Sequence, residues 1–239
     1  MIGNNQTATK AACVVPERVG FFDSGIGGVS VVREFVRLRP AAEVFYVADW
    51  TYCPYGDKPE AVVRSRAHII TERLLEQGCQ LIVAACNTAT AVAIDSLRAT
   101  YDVPFVGIEP AVKPAALHSQ TGVVGILATP NTFGGRLYKK TSLRFAGKVR
   151  VLTAVGEGFV ELVEDGEFDS VKTERAVEHV LAPLLEQGID HLVLGCTHYP
   201  FLKAVIARVV GPGVAIVDPS HAVALRAVLL LEQREGDRC

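Results

Sequence analysis

One stretch of this chain is written twice. Leu74-Leu75-Glu76-Gln77-Gly78 precedes an apolar run ending on Cys86, and Leu184-Leu185-Glu186-Gln187-Gly188 precedes one ending on Cys196, 110 positions later and without a gap. A fainter echo pairs Val19-Gly20-Phe21-Phe22-Asp23 with Val124-Gly125-Ile126-Leu127-Ala128, 105 positions on. Chance produces one such match. Two in the same order, at nearly the same offset, point to two related halves, each carrying one unit of the architecture.

The pattern within each half sets the fold class. Apolar runs rich in Val, Ile and Phe at 18–23, 43–48, 80–85, 103–107, 122–128, 149–153, 190–195 and 214–217 read as strands. Between most of them lie helical patterns, at 28–38, 59–77, 88–100, 132–145, 169–187 and 219–233. Strands alternating with helices need crossover connections and hence parallel sheets, and near-continuous apolar runs fit strands buried on both faces. The expected class is α/β, with two similar domains of mostly parallel sheet related by a pseudo-twofold. In such sheets ligands gather beyond the carboxyl ends of strands. If the halves face each other, two thiols approach one ligand from opposite sides across a cleft.

Composition narrows the field. The 239 residues suffice for one or two domains, and 49% hydrophobic against 21% charged residues excludes a disordered chain. A net charge of −2 gives no support for general nucleic-acid or acidic-membrane binding. The longest uncharged stretch, Gln77 to Ile94, carries Gln, Asn and Thr, so no transmembrane helix is expected. The start, with one Lys and no long apolar run, reads as a disordered tail rather than a secretory signal. Without such a signal the six cysteines, which form no CxxC pair, read as reduced cytoplasmic thiols.

Each cysteine is then judged singly. Cys86 follows five apolar residues and precedes Asn87-Thr88, where a helix begins. It is either a small core hydrophobe or a thiol poised at a helix N-terminus, where backbone N–H groups lower a thiol pKa from ~8.5 toward neutrality. Cys196 has the same setting plus His198. That Cys-x-His pair suggests half a metal site, but no second ligand pair stands at suitable spacing, so no metal is expected. Asp23-Ser24-Gly25-Ile26-Gly27-Gly28 puts an acid at a strand end and glycines in the turn. It matches neither phosphate-loop spacing and reads either as a structural turn or as a backbone cradle for a carboxylate. Tyr55 and Gly56 sit in a turn-rich loop, Glu109 near a helix start, and Glu164 at the end of a short helix. His68, His118, His179, His191 and His221 lack polar company and read as structural or exposed, as does Cys13.

Together these residues resemble the cofactor-independent glutamate racemases of the aspartate/glutamate racemase family. The matching segments are DSGIGG (23–28), YVADWTYCPYGDK (46–58), CNTATA (86–91), GIEPAVKPA (107–115) and GCTHYP (195–200). The resemblance implies domains at 18–111 plus 215–239 and at 112–214, after a tail at 1–17, with the active site in the cleft. It implies that Cys86 and Cys196 are opposed acid/base thiols, Asp23 supporting the first, Glu164 and His198 the second. Ser24, Tyr55, Gly56, Asn87, Thr88, Thr129, Thr132 and Thr197 would hold the amino acid. Glutamate is the implied partner, no cofactor is implied, and a homodimer is left open. The sequence departs from the family at Asn131 (usually Gly), Glu161 (often Pro) and Cys53 (an aromatic position).

The residue types suit the chemistry. Racemisation removes a weakly acidic α-proton and returns one on the opposite face, so one thiolate abstracts while the opposed thiol donates. Competing readings are a racemase for aspartate, a cysteine hydrolase and a non-catalytic amino-acid-binding protein. A hydrolase leaves Cys196 unexplained, and a binding protein leaves both thiols replaceable.

Overall fold

The computed structural model describes residues 17–145 and 147–236. Cys13, Cys239 and the expected tail lie outside these residues, except Glu17, whose carbonyl accepts the Glu43 N–H at 2.9 Å.

The first half contains β1 (Arg18–Asp23), α1 (Val29–Leu38), β2 (Glu43–Ala48), α2 (Glu60–Glu76), β3 (Leu81–Ala84), α3 (Asn87–Thr100) and β4 (Phe105–Gly107). The second contains α4 (Val112–His118), β5 (Val123–Ala128), α5 (Pro130–Gly134), α6 (Arg136–Phe145), β6 (Arg150–Val155), α7 (Phe159–Glu164), α8 (Val171–Glu186), β7 (His191–Gly195), α9 (Lys203–Val210) and β8 (Ala215–Val217), before α10 (Ser220–Gly236). Two four-stranded sheets result, ordered β2-β1-β3-β4 and β6-β5-β7-β8, and every pairing is parallel. The same strand order in both is what the internal repeat requires.

The inner strands of each sheet are buried on both faces, which is why they read as continuous apolar runs. On β1 and β3, Val19, Phe21, Leu81 and Val83 face α1 and α10, whereas Phe22, Ile82 and Ala84 face α2 and α3. In the second sheet, Leu127, Leu192 and Leu194 pack on α7, α8 and α9, and Val124, Ile126 and Val193 face α4 and α6. A fully buried side chain of this size contributes about 1.5–3 kcal/mol. The repeated Leu-Leu-Glu-Gln-Gly ends α2 and α8: Gly78 and Gly188 take left-handed φ of 77° and 74°, and their N–H groups donate to Leu75 and Leu185. That conformation favours glycine and closes the last helical turn.

β8, which the division expected at 214/215 assigns to the first domain, pairs with β7 (His191↔Ala215, Leu192↔Ile216, Val193↔Val217) and lies in the second sheet. A three-residue strand persists only against a partner, and the partner here is β7. The return to the first half is made by α10, whose Val223, Ala224, Ala227, Val228 and Leu231 form one helical stripe against the first core. The helix expected over 132–145 is broken at Gly135, which lacks room for a side chain beside Ala91 and ends one helix before the next begins.

Candidate active site

Residues at or just beyond the carboxyl ends of β1, β3, β5 and β7 converge. Ser24, Cys86, Thr129 and Cys196 line one narrow cavity of ≈ 240 Å³ together with Pro54, Tyr55, Gly56, Asn87, Thr88, Val160, Thr197 and His198. A wider adjoining cavity of ≈ 650 Å³ shares Pro54, Gly56, Thr129 and Val160 with it. Glu161, the departure from the family pattern, lines this outer space and not the inner one.

On the first-half side, Cys86 is the N-cap of α3, and its Sγ accepts the Ala89 N–H at 3.5 Å. Behind it, Asp23 is fully buried; its Oδ1 accepts the Ser24 N–H at 2.7 Å and its Oδ2 the Thr197 hydroxyl at 2.9 Å. The last bond crosses between halves. Here the expected pKa direction is reversed. Burial, then the charge of Asp23, push the Cys86 thiol well above its usual range, and the single Ala89 N–H does not offset them. Burial likewise raises Asp23. Both shifts favour the protonated forms.

The second-half side is built differently. Cys196 Sγ lies 3.8 Å from His198 Nδ1, and His198 Nε2–H donates to Glu164 Oε1 at 2.6 Å. Burial opposes a charged His198, but hydrogen bonds with Cys196, Cys53 and Glu164 outweigh it and hold the imidazole pKa well above normal. Burial also acts to raise Glu164, yet His198, the Ile26 N–H and Trp50 bring it below the ordinary range. Glu164 reaches into the first half, accepting the Ile26 N–H at 2.8 Å and the Trp50 Nε1–H at 2.9 Å.

That contact explains the glycines of the DSGIGG turn. A methyl group on Gly25 would run into the Glu164 carboxylate, and one on Gly27 into the His198 ring. The turn cradles a carboxylate, as one sequence reading held, but the carboxylate is the chain's own Glu164. Asp23, Glu164 and Thr132 stand one hydrogen bond behind the lining; Thr132 Oγ1 bonds Thr129 Oγ1 at 2.9 Å, which bonds Thr88 Oγ1 at 2.9 Å across the halves.

Several functional partners were not legible in the sequence. The Tyr55 hydroxyl donates to Asp49 Oδ2 at 2.6 Å, and Arg66 holds the same carboxylate with two bonds of 2.8 and 2.9 Å. Asn131 donates to the Tyr55 and Lys58 carbonyls at 3.2 and 2.9 Å, so this departure ties the second-half loop to the first half. Asn87 is one of the residues that line the cavity, and its Oδ1 is buried without a protein partner. Of the histidines set aside, His68 and His191 are structural: they bond Tyr101 and Ser96, and Asp190, respectively.

Sequence comparison places this geometry. The Asp/Glu/Hydantoin racemase family matches residues 27–227. The chain belongs to that family. Among curated relatives of this racemase, a glutamate racemase of Herpetosiphon aurantiacus is 46% identical over 89% of this chain and 84% of the relative. Another, from Cupriavidus pinatubonensis, is 46% identical over 88% of this chain and 78% of the relative. Among solved structures, the Escherichia coli glutamate racemase in complex with L-glutamate and the activator UDP-MurNAc-Ala superposes with a TM-score of 0.85. It is 36% identical, covering 91% of this chain and 83% of that one.

Proposed function

We propose that this racemase interconverts L- and D-glutamate by a two-thiol, two-base proton transfer without a cofactor, and so supplies D-glutamate for peptidoglycan synthesis. The observation that carries the reading is that Cys86 and Cys196, equivalent positions in two repeated halves, line one cavity. Each has its own acid/base partner behind it: Asp23 for Cys86, His198 with Glu164 for Cys196. One sulfur removes the α-proton while the other delivers a proton to the opposite face, and the roles exchange with direction.

The lining supports an amino-acid substrate. Asn87 Oδ1 offers an unused acceptor to an α-ammonium group. The hydroxyls of Ser24, Thr88, Thr129 and Thr197, with the free N–H groups of the first turn of α3, suit carboxylate oxygens and the charge that develops on them. The lining of the inner cavity contains no lysine or arginine. Hydroxyl and N–H dipoles therefore carry the stabilisation. Glutamate as the partner rests on the curated relatives of that activity. A cytoplasmic location is part of the same proposal, and the described cysteines 53, 79, 86 and 196 are free thiols. No described helix is long and apolar enough to cross a membrane.

Circular dichroism of D- or L-glutamate incubated with metal- and pyridoxal-phosphate-stripped protein tests this. Both enantiomers should converge on an equilibrium constant of 1, because their free energies in water are equal. Activity lost on chelation and restored by zinc would overturn the cofactor-free mechanism. Equal turnover of aspartate would overturn the substrate assignment.

A further inference from the structure

Beside the inner cavity, three potential metal ligands from separate parts of the chain meet. The Cys53 thiol, a Glu164 carboxylate oxygen and a His198 ring nitrogen all lie within 4.8 Å of one another. Cys53 comes from the loop after β2, Glu164 from the end of α7 and His198 from the turn after β7, so the cluster bridges the two halves. No spacing rule finds it, because the three residues are scattered over the whole chain. Cys53 and Glu164 are only half-buried, which leaves the cluster reachable from solvent.

We propose that Cys53, Glu164 and His198 form an inhibitory site for a thiophilic divalent cation, zinc above all. The donor set, one thiolate, one imidazole and one carboxylate, is the kind that selects zinc over calcium or magnesium. Two of the three ligands are anionic, so a bound dication is neutralised, and a fourth position stays open to water. The geometry is near what zinc needs. A tetrahedral ion with bonds of roughly 2.3 Å to sulfur and 2.1 Å to nitrogen or oxygen separates S and O by roughly 3.6 Å and N and O by roughly 3.4 Å. The present separations are 3.9 Å for Cys53 Sγ to Glu164 Oε1 and 2.6 Å for His198 Nε2 to Glu164 Oε1. Replacing the proton shared by His198 and Glu164 with the ion needs shifts below about 1 Å. Glu164 Oε2 keeps its bond to Trp50 meanwhile.

Occupancy would act on turnover in two ways. The ion takes the His198–Glu164 pair away from Cys196, and it fastens the loop after β2 to α7 across the cleft. This effect on turnover rests on the racemase reading; the binding does not.

The test uses the full chain with Cys13→Ser and Cys239→Ser, removing the two thiols outside the described residues. Cobalt(II) should bind one per chain with thiolate-to-metal charge-transfer absorption, and zinc should displace it. Adding Cys53→Ala should abolish that absorption and weaken zinc binding by about ten-fold or more. Cys53→His should retain zinc binding without the sulfur band. In zinc-buffered racemisation assays, Cys53→Ala, each rate taken relative to its own metal-free rate, should need at least about ten-fold more zinc for half-inhibition. An undiminished sulfur band in Cys53→Ala would overturn the site and place the metal on another thiol, Cys79, Cys86 or Cys196. Failure of one-to-one binding in the parent chain would overturn it outright. Because absorption reports binding without turnover, failure of the racemase reading alone would leave the binding result intact.

Discussion

The two halves share strand order and the position of a thiol just beyond the third strand, yet the thiols keep opposite electrostatic company. Cys86 is backed by Asp23, a buried acid, and both groups are pushed toward their protonated forms by burial. Cys196 is backed by His198, whose pKa is raised and whose far nitrogen is held by Glu164. A duplicated scaffold thus carries one thiol beside a buried acid and another beside an imidazole whose pKa is held above normal. On the proposed mechanism the two thiols exchange roles with direction, Cys86 delivering the proton when Cys196 abstracts and abstracting when Cys196 delivers.

The sharpest way to break this comparison is to remove one thiol at a time. Cys86→Ser or Cys196→Ser should each lower racemisation by about 10²–10⁴ or more, the scale of one acid/base group. Elimination of halide from a β-halogenated glutamate needs abstraction alone. On the reading that Cys86 takes the α-proton of D-glutamate and Cys196 that of L-glutamate, Cys86→Ser should still eliminate from the L-configured analogue and Cys196→Ser from the D-configured one. If both variants act on the same enantiomer, the two faces are not served by these two cysteines.

A smaller effect, about 10–10², is expected from the supporting groups. Asp23→Asn should slow elimination from the D-analogue only, and His198→Asn from the L-analogue only. Racemisation cannot show this directly. With an equilibrium constant of 1, kcat/KM must fall equally in both directions, so only the separate kcat and KM values would diverge. Equal slowing of both eliminations by either variant would mean the partners act on the cavity as a whole.

Gly25→Ala probes the contact between halves. Its methyl group must displace the Glu164 carboxylate, which also releases Trp50, the chain's single tryptophan. Its fluorescence should shift, and kcat/KM should fall about ten-fold, on the scale of one lost charged hydrogen bond. An unchanged spectrum would show that the glycine is dispensable. The same fluorescence reports pH. Glu164 titrates below its unfolded value of ~4.3, so its contribution to stability is complete above that pH. It is lost as the pH falls through the lowered folded value. The Trp50 signal should change across that acid window, and Glu164→Gln should remove the step.

The smallest change concerns Tyr55, which separates lining from support. Tyr55→Phe keeps the ring and loses the bond to Asp49, which Arg66 still holds. About 1.5 kcal/mol of stability should be lost, roughly 3–6 °C in Tm, with KM for glutamate nearly unchanged. A large rise in KM would show that the hydroxyl contacts substrate after all.

Much of the fold is readable locally. The strands fall within a few residues of their apolar runs because each lies between two helix layers, so every residue of β3 is buried. The short helices α4 and α9 escape detection: Val112–His118 and Lys203–Val210 are too brief for a clear 3.6-residue period. At the site, the lining residues follow from motifs that sit at strand ends. The roles of Trp50 and Asn131 do not, since each bonds a partner remote in sequence, Glu164 for Trp50 and the Tyr55 and Lys58 carbonyls for Asn131.

The duplicated Leu-Leu-Glu-Gln-Gly segments, with a cysteine closing each following strand, were enough to determine two parallel α/β halves and a pair of matched thiols. Backbone hydrogen bonding and side-chain periodicity are local, so the sequence carries them in plain form. The tertiary structure alone decided what each thiol experiences. Desolvation and charge depend on which distant groups close over a sulfur. Packing Asp23 behind Cys86 reversed the shift expected from a helix N-terminus. Packing Glu164 and His198 against the glycine turn made that turn a contact between halves as well as the source of the cavity-lining Ser24.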